Sequence, residues 1–257
     1  MQRTRELLQS LLLPLLLLIL WEVSARSALL PKYFASPSLI AAAGLELTRT
    51  GELGAAISIS LYRVYVGYAL GLVLGVLLGL LAGLLRPLRD FLDPLSSFLY
   101  PIPKIAFLPI LLLLFGLGDG SKIALIASSV FFPVFIAARS ALVGLDPKFI
   151  WVARNMGAGH VRIFFKVVLP AVRPQLFAGA RVGLSLAFVL LFAAELMGSQ
   201  NGLGRVVHEN EDALRFDLML AGIMAFAFLG FLSDLVLMRI RAVVLRGQLL
   251  GTQEQSA

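Results

Sequence analysis

The sequence predicts an all-α protein that lies in a membrane, and its composition and segmentation carry that prediction. Of its 257 residues, 59% are hydrophobic and 14% are charged, whereas a soluble domain is about half apolar and a quarter charged. The apolar residues are gathered into about six segments near the length that a transmembrane helix needs. Because the connections between them are short, we expect one transmembrane domain over residues 1–257.

The first apolar segment, residues 7–23, follows a short basic start. A cleaved signal peptide would show the same order of basic, apolar and small-residue zones. Trp21 and Glu22 do not suit a cleavage zone, and further spans follow, so we expect an uncleaved first helix. Residues 24–54 are mixed in character and predict one short amphipathic helix at about 39–48.

The second segment, residues 57–85, carries glycine at every fourth position. In a helix this spacing places the glycines on one stripe, where two backbones can approach closely and associate in lipid. We therefore expect a helix-packing surface, although the sequence does not say which helix packs there. The stripe is Gly67, Gly71, Gly75, Gly79 and Gly83.

The third segment, residues 95–117, contains Pro101, Pro103 and Pro109. Each proline removes a backbone donor and disfavours a straight helix. Broken helices occur in membranes only where they are buried in protein or line a cavity. The three prolines are therefore candidates for lining or gating a translocation pathway, and a bent packing helix is the alternative.

The remaining spans are residues 123–142, 176–197 and 218–240, and the charges near span ends are of interest. Arg63 and Glu195 are candidates for translocation or gating, with charges that only reach out to the membrane surface as the alternative.

Residues 198–216 carry His208 close to three acidic residues, but the spacing fits no metal-ligand pattern. We expect a solvated loop there and no metal site.

The longest charged interruption between apolar segments is residues 146–174. Asp146 and Pro147 have the form of an N-cap and a first-turn proline. They predict a short helix at 149–156, glycines at 157 and 159 then break it, and a second short helix is expected at 160–168. These helices are too polar for hydrocarbon, so we expect a folded loop outside the membrane that a partner binds.

Basic residues are distributed unequally between the two sides of the predicted bundle. The side that holds both termini and the 146–174 loop collects fourteen of the 22 Lys and Arg residues, and the other side seven. Lys and Arg bias sets topology, so both termini and the loop are predicted to be cytoplasmic. The net charge of +7 is thereby explained without nucleic-acid binding.

The chain lacks the common sequence motifs of catalysis. It has no cysteine, no GxxxxGK[ST] phosphate-binding loop, no HExxH and no GxSxG. We expect no enzymatic activity, no metal and no cofactor in this chain. An ion- or proton-coupled secondary transporter remains the alternative function, although the sequence shows no convincing internal repeat of the kind such transporters carry.

The 146–174 loop resembles the cytoplasmic loop of ABC importer permeases, whose pattern is Glu-Ala-Ala, three residues, Gly, nine residues, Ile-x-Leu-Pro. Ala153, Gly157, Val167 and the pair Leu169-Pro170 stand at matching positions. Two positions depart from the pattern, with Trp151 at the glutamate and Val152 at the first alanine. The glycine stripe, the 103–116 stretch and the Ala194-Glu195…Gly202-Leu203-Gly204 sequence extend the resemblance to the nitrate/sulfonate/taurine-type family over nearly the whole chain.

The resemblance implies a type I ABC importer permease fold with cytoplasmic coupling helices. It further implies a bacterial inner-membrane, multi-pass permease for a small polar solute: nitrate, taurine or another sulfonate, or a small heterocyclic nutrient. Implied partners are a second permease copy, two ATP-binding subunits that hold ATP and Mg, and a periplasmic substrate-binding protein. Residues implied to couple to the ATP-binding subunit are Trp151, Val152, Ala153, Gly157, Leu169 and Pro170.

Trp151 is the informative departure from the family pattern. A glutamate would offer a charge to a basic partner residue, whereas tryptophan offers a large apolar surface that suits a partner pocket. Two alternatives remain open: the indole packs inward against the permease's own helices, or it lies at the membrane interface.

Overall fold

The computed structural model describes residues 2–27, 29–31 and 33–246, with side chains from Leu12 onward. Within this part the chain is helical and contains no β-strand, which confirms the all-α prediction. The helices are α1 Gln2–Arg26, α2 Pro37–Arg49, α3 Glu52–Leu84, α4 Arg86–Leu99, α5 Leu108–Phe115, α6 Asp119–Val143, α7 Pro147–Asn155, α8 His160–Ile163, α9 Leu169–Leu196, α10 Leu203–Asp212 and α11 Phe216–Val244.

Four helical stretches in the described part are long and apolar enough to cross a membrane. They are α3, α6, the continuous stretch His160–Leu196 and α11. A fifth crossing results if α4 and the stretch Lys104–Phe115, which meet at 92°, count as one broken span. The predicted count of about six also needs α1, whose side chains before Leu12 lie outside the described residues, so that count stays a prediction.

The chain divides into two compact units. The first comprises the described residues within Met1–Ser60 and Glu195–Ala227, and the second those within Leu61–Ala194 and Phe228–Ala257. The long helices α3, α9 and α11 run from one unit into the other.

Helix α6 forms the centre of the second unit. In its most apolar 18-residue window 61% of the residues are buried, against 22–33% in the other three long stretches. The glycine stripe of α3 lies against it: a Cβ at Gly75 would come within 2.8 Å of the Val134 Cβ and 2.9 Å of the Phe131 carbonyl oxygen. The other four stripe glycines face α6 equally closely, with nearest distances of 2.7 Å at Gly67, 2.5 Å at Gly71, 2.6 Å at Gly79 and 2.9 Å at Gly83.

A second glycine pair packs on the same central helix from α9. A Cβ at Gly179 would lie 2.5 Å from that of Ala137, and one at Gly183 would lie 3.0 Å from Val130 Cγ1. Since both distances are shorter than ordinary van der Waals contact, only glycine allows α9 to approach this closely. The four-residue spacing of this pair is visible in the sequence, like that of the longer stripe on α3.

The predicted third span is not one helix. Helix α4 begins at Arg86 and ends at Leu99, and a short 3₁₀ turn, Lys104–Phe107, leads into α5. The chain leaves the helical path at Pro101 and Pro103, because neither can donate a backbone hydrogen bond and each restricts the residue before it. The predicted single segment at 95–117 is therefore a broken one that starts nine residues earlier.

The second short helix predicted in the loop is not separate from the fifth span. Helix α8 continues through a π-helical turn, Phe164–Val168, directly into α9. The Leu169 N–H bonds to the carbonyl of Phe164, five residues back. Because Pro170 has no N–H to give, a widened turn before it lets the helix continue.

The connection predicted as a solvated loop at 198–216 contains helix α10, so that prediction was wrong. Its Leu203, Val206 and Val207 are buried at helical spacing, and its charged residues lie on the other face.

The predicted short helix at 39–48 is confirmed as α2, where the Ser36 hydroxyl accepts a hydrogen bond from the Leu39 N–H at 3.4 Å.

Candidate functional site

The beginning of the 146–174 segment is fixed by its own sequence. The Asp146 carboxylate accepts a hydrogen bond from the Lys148 N–H at 2.9 Å, and Pro147 occupies the first helical turn. This confirms the predicted cap: the carboxylate satisfies one of the amide groups that every helix start leaves without an internal partner.

The end of α7 is closed by a glycine-centred turn. Gly157 has φ +77°, and its N–H donates to the Arg154 carbonyl at 2.9 Å. The next N–H, of Ala158, donates to the Ala153 carbonyl at 3.0 Å. These two bonds form a Schellman motif, which needs a residue in the left-handed region and therefore favours glycine. Open space surrounds the position where a Gly157 side chain would stand, so no packing inside the chain requires glycine there.

The segment exposes large apolar side chains rather than charged ones alone. None of the residues of α7 is buried. Trp151 is 60% exposed, which rules out packing of the indole against the chain's own helices. Other exposed apolar side chains of the segment are Phe149 (60%), Val152 (58%), Met156 (82%), Val161 (73%) and Phe165 (57%).

Leu169 and Pro170, the last two residues of the loop pattern, anchor the 146–174 segment to the helices. Leu169 packs against the cluster formed by Leu80 of α3, Ala138 of α6 and Val172 of its own helix. Pro170 is half-buried at the start of α9. Of the residues proposed for coupling, Trp151 and Val152 are presented outward, Ala153 supplies a capping carbonyl, and Leu169 lies within the bundle.

Glu195 lies in the first unit, enclosed by the turn that follows it. It is 1% exposed. The Ser60 hydroxyl lies 2.9 Å from both carboxylate oxygens, and the Gly204 N–H donates to Oε2 at 2.9 Å. The Leu203 N–H donates to the Ser60 hydroxyl at 2.9 Å. Glu195 and Ser60 thus bind the first amide groups of α10, where a negative charge is favourable.

The glycines of this turn make room for the carboxyl group. A Cβ at Gly202 would lie 2.5 Å from Glu195 Oε1, and one at Gly204 would lie 2.3 Å from the Glu195 Cβ. Gly202 also has φ +100°, a backbone conformation that favours glycine. The Ala-Glu and Gly-Leu-Gly sequences are therefore one structural unit, a carboxylate and the helix start wrapped around it. The sequence showed both parts, but Ser60 carried no signal that would have linked it to them.

The second buried charge, Arg63, is paired with Asp119 at the start of α6. Arg63 is 1% exposed, and its Nε donates to Asp119 Oδ1 at 2.7 Å. Lys122, one turn further along α6, is also 1% exposed and donates to the carbonyls of Leu117 at 2.8 Å and Gly118 at 3.2 Å. The sequence analysis placed Arg63 near a span end, whereas the structure buries it within the second unit.

The proline-rich break is held together by a lysine. The Lys104 ammonium donates to the carbonyls of Leu99 at 2.6 Å, Ile102 at 2.9 Å and Tyr100 at 3.2 Å. It also stands 4.6 Å from the centre of the Phe132 ring on α6. These carbonyls lie at the end of α4, where a cation is favoured.

Two open cavities adjoin this break. One of about 330 Å³ is lined by Pro101 and Pro103, and another of about 210 Å³ lies beside it. Lys104 and Phe132 line both cavities, whereas Pro109 lines neither. The structure therefore brings two of the three candidate prolines to a cavity wall and places the third at the start of α5.

Possible metal ligands do not gather within the part of the chain that the structure describes, where no group of three or more His, Cys, Asp or Glu side chains could hold an ion. His208 lies 4.0 Å from Glu211 and 3.8 Å from Asp212, along one face of α10.

An ion pair joins two of the long helices. Arg181 on α9 and Asp234 on α11 form two hydrogen bonds, Nε to Oδ1 at 2.7 Å and NH2 to Oδ2 at 2.8 Å. The predicted fifth span began at residue 176, which put Arg181 near its end. The observed helix runs from His160 to Leu196, so Arg181 lies well inside it.

The fold and the 146–174 segment together define a multi-pass membrane component of an ABC importer. The chain belongs to the binding-protein-dependent transport system inner membrane component family, which matches residues 71–245.

Relatives are similar over most of their length. The putative aliphatic sulfonates transport permease protein SsuC of Bacillus subtilis is 34% identical over 88% of this chain and 83% of its own. The taurine transport system permease protein TauC of Escherichia coli is 30% identical over 87% and 83%. A putative ABC transporter permease protein of Methanocaldococcus jannaschii is 33% identical over 90% and 88%.

A solved structure shares the fold. A chain of the MetNI methionine ABC transporter, in an inward-facing conformation, aligns with a TM-score of 0.63 at 20% identity, covering 77% of this chain and 98% of that one. The type I importer permease fold is thereby confirmed. The family match and the named relatives favour the permease function over an ion-coupled secondary transporter.

Proposed function

We propose that this permease carries a small anionic solute of the sulfonate class, delivered by a periplasmic binding protein and driven by two ATP-binding subunits that bind the 146–174 segment of each of two identical permease chains. The names of the sulfonate and taurine relatives support the solute class. The segment's matching spacing and exposed apolar side chains support the docking site.

The observation that carries the docking proposal is the outward position of Trp151 on a capped, rigid helix. An exposed aromatic side chain held by a short ordered helix is costly in water and gains stability by entering a partner pocket. The Schellman turn at Gly157 fixes where α7 stops and therefore which side chains face the partner. The ATP-binding subunit is expected to present an apolar or aromatic-lined groove at this position.

The test compares Trp151→Ala and Gly157→Asp in the purified complex. Both variants are expected to reduce retention of the ATP-binding subunit and substrate-stimulated ATP hydrolysis by at least tenfold, since a buried aromatic anchor contributes about 2 kcal/mol or more. Phe228→Ala is the matched control, because Phe228 is 63% exposed on α11, outside the segment. Normal assembly and coupling in Gly157→Asp would reject the docking site, whereas a silent Trp151→Ala alone would reject only the anchor.

The solute class is tested by uptake into cells that lack other sulfonate transporters. We expect ATP-dependent accumulation of taurine or a short alkanesulfonate, with nitrate a weaker substrate. Uptake that persists after ATP depletion but stops when the ion gradient is collapsed would instead support the secondary-transporter alternative.

A further inference from the structure

The Arg181–Asp234 ion pair lies level with the middle of α6, a helix long and apolar enough to cross a membrane, but is not covered by the chain. Arg181 stands between Gly179 and Gly183, which contact residues 130–137 in the middle of α6. The Arg181 side chain is nevertheless 51% exposed, and that of Asp234 is 29% exposed. Both residues belong to the second unit, so this exposure describes one compact body.

Lipid is a poor environment for this exposed pair. Charged side chains within membrane spans face the protein interior or a water-filled cavity and rarely face lipid, because hydrocarbon solvates charge poorly. On α9, Ala178 and Ser185, one turn on either side of Arg181, are small or polar and exposed, unlike the large exposed side chains of Val182 beside this stripe and Phe231 on α11. The face that carries these residues is therefore covered by something other than lipid.

A dry protein interface is a poor environment as well. A guanidinium has five N–H donors, and Asp234 accepts from two of its nitrogens. The remaining donors have no partner among the described residues, and each would cost free energy if buried without one. Water satisfies them at no such cost, so the geometry favours an aqueous space beside this face.

We infer that the face of α9 and α11 that carries Arg181 and Asp234 lines the water-filled solute pathway, and that Arg181 offers N–H donors there to the anionic oxo group of the passing solute. The inference rests on the proposed function. Guanidinium groups suit the geometry of oxyanions. Asp234 partly neutralises the arginine, which keeps binding weak enough for the solute to leave, as passage through a pore requires.

Accessibility can be measured directly because the chain has no cysteine of its own. Ser185→Cys is placed one turn from Arg181, in the complete transporter in membrane vesicles. Its thiol is expected to react within minutes with sulfonatoethyl methanethiosulfonate, which is itself an alkyl sulfonate, and with the cationic trimethylammonioethyl reagent. Thiols react as thiolates, which form in water and not in lipid.

The control is Val236→Cys, at a similar depth on α11 and 49% exposed. Two residues after Asp234 on a helix, it points about 200° away from the proposed pathway. In the folded transporter it is expected to resist both charged reagents, because its thiol does not ionise in lipid. After denaturation in sodium dodecyl sulfate it should react with N-ethylmaleimide, which shows that the thiol is present and unmodified. Equal resistance of Ser185→Cys to the charged reagents would overturn the inference.

The solute class is tested by the ratio of anionic to cationic labelling rates at Ser185→Cys. One charge about 6 Å away in water changes the rate for each reagent about threefold, in opposite directions, so Asp234→Asn should raise the ratio roughly tenfold and Arg181→Gln should lower it roughly tenfold. Arg181→Lys keeps the charge and should leave the ratio unchanged. If the ratio stays the same in Arg181→Gln and Asp234→Asn as well as in Arg181→Lys, the role of Arg181 is overturned.

The two proposals fail separately. If uptake is ATP-dependent and Ser185→Cys is inaccessible, the pathway assignment is wrong and the proposed function stands. If uptake does not depend on ATP, the proposed function is wrong, and the accessibility pattern still reports which face meets water.

Discussion

At the scale of single residues, buried charges have a structural explanation that the sequence did not show. Glu195 was a pathway candidate because the family resemblance places it in an Ala-Glu pair beside the Gly-Leu-Gly turn, and a charge that only reaches out to the membrane surface was the alternative. Its contacts with Ser60 and Gly204 show that it binds the start of α10. We therefore propose a capping role for Glu195 in place of the gating role expected from the sequence.

Glu195→Gln tests that role. The amide removes the negative charge and replaces one acceptor oxygen with an NH2 donor, so the hydrogen bonds from Ser60 and Gly204 are no longer made to a charged group. Losing a buried hydrogen bond to a charged group costs about 1.5–3 kcal/mol, which lowers the thermal unfolding temperature by roughly 3–10 °C for a chain of this size.

Glu209→Gln is the matched control for this measurement. Glu209 lies on the exposed face of the same helix and pairs with Arg205 at 2.7 Å, so its loss should change stability by less than about 1 kcal/mol. Unchanged unfolding of detergent-solubilised Glu195→Gln, with reduced uptake, would return Glu195 to the pathway.

At the scale of helices, the sequence predicted where the helices lie better than where they break or join. The predicted bounds of α3, α6 and α11 are correct to within a few residues, because the length and apolar composition of a segment are enough to predict a membrane-spanning helix. The prolines at 101 and 103 predicted the break between α4 and α5 but not its angle of 92°. The bend brings the Lys104 ammonium to the carbonyls at the end of α4 and to the Phe132 ring, and the sequence does not show these contacts. The fusion of α8 with α9 was missed, because a π-helical turn has no simple sequence signature.

The contact of α3 with α6 predicts the effect of one substitution. In Gly75→Leu the new Cβ would lie only 2.8 Å from the Val134 Cβ, and the rest of the leucine side chain has no room. The two helices would have to move apart, or the chain would fail to assemble. We expect loss of most folded protein from membranes, or a thermal unfolding temperature lowered by more than 10 °C, since overpacking alone costs about 1–3 kcal/mol and lost contacts add to it.

Gly54→Leu provides the same change on the same helix. Nothing lies within 4 Å of the Cβ position there, so yield and unfolding temperature should match the unchanged protein. If Gly75→Leu behaved like Gly54→Leu, the close approach of α3 and α6 would be wrong.

At the scale of the whole molecule, orientation follows from charge and remains a prediction. The excess of Lys and Arg places both termini and the 146–174 segment in the cytoplasm. A green fluorescent protein fused after residue 257 should therefore fluoresce, and alkaline phosphatase at the same site should be inactive. The control is fusion within the 198–202 connection, where the two reporters should behave in the opposite way. Activity of alkaline phosphatase at the C-terminus would reverse the assignment.

The helix runs without a break from His160 to Leu196, so a movement of the 146–174 segment by its proposed partner would be transmitted along its whole length. Its 37 residues form a rod about 55 Å long, and Arg181 stands about 32 Å from the end that adjoins the Gly157 turn. A tilt of about 10° at that end would shift Arg181 sideways by roughly 5–6 Å over this length. A rotation imposed outside the membrane would thus become a displacement comparable to the width of a small solute, with no hinge needed between the two.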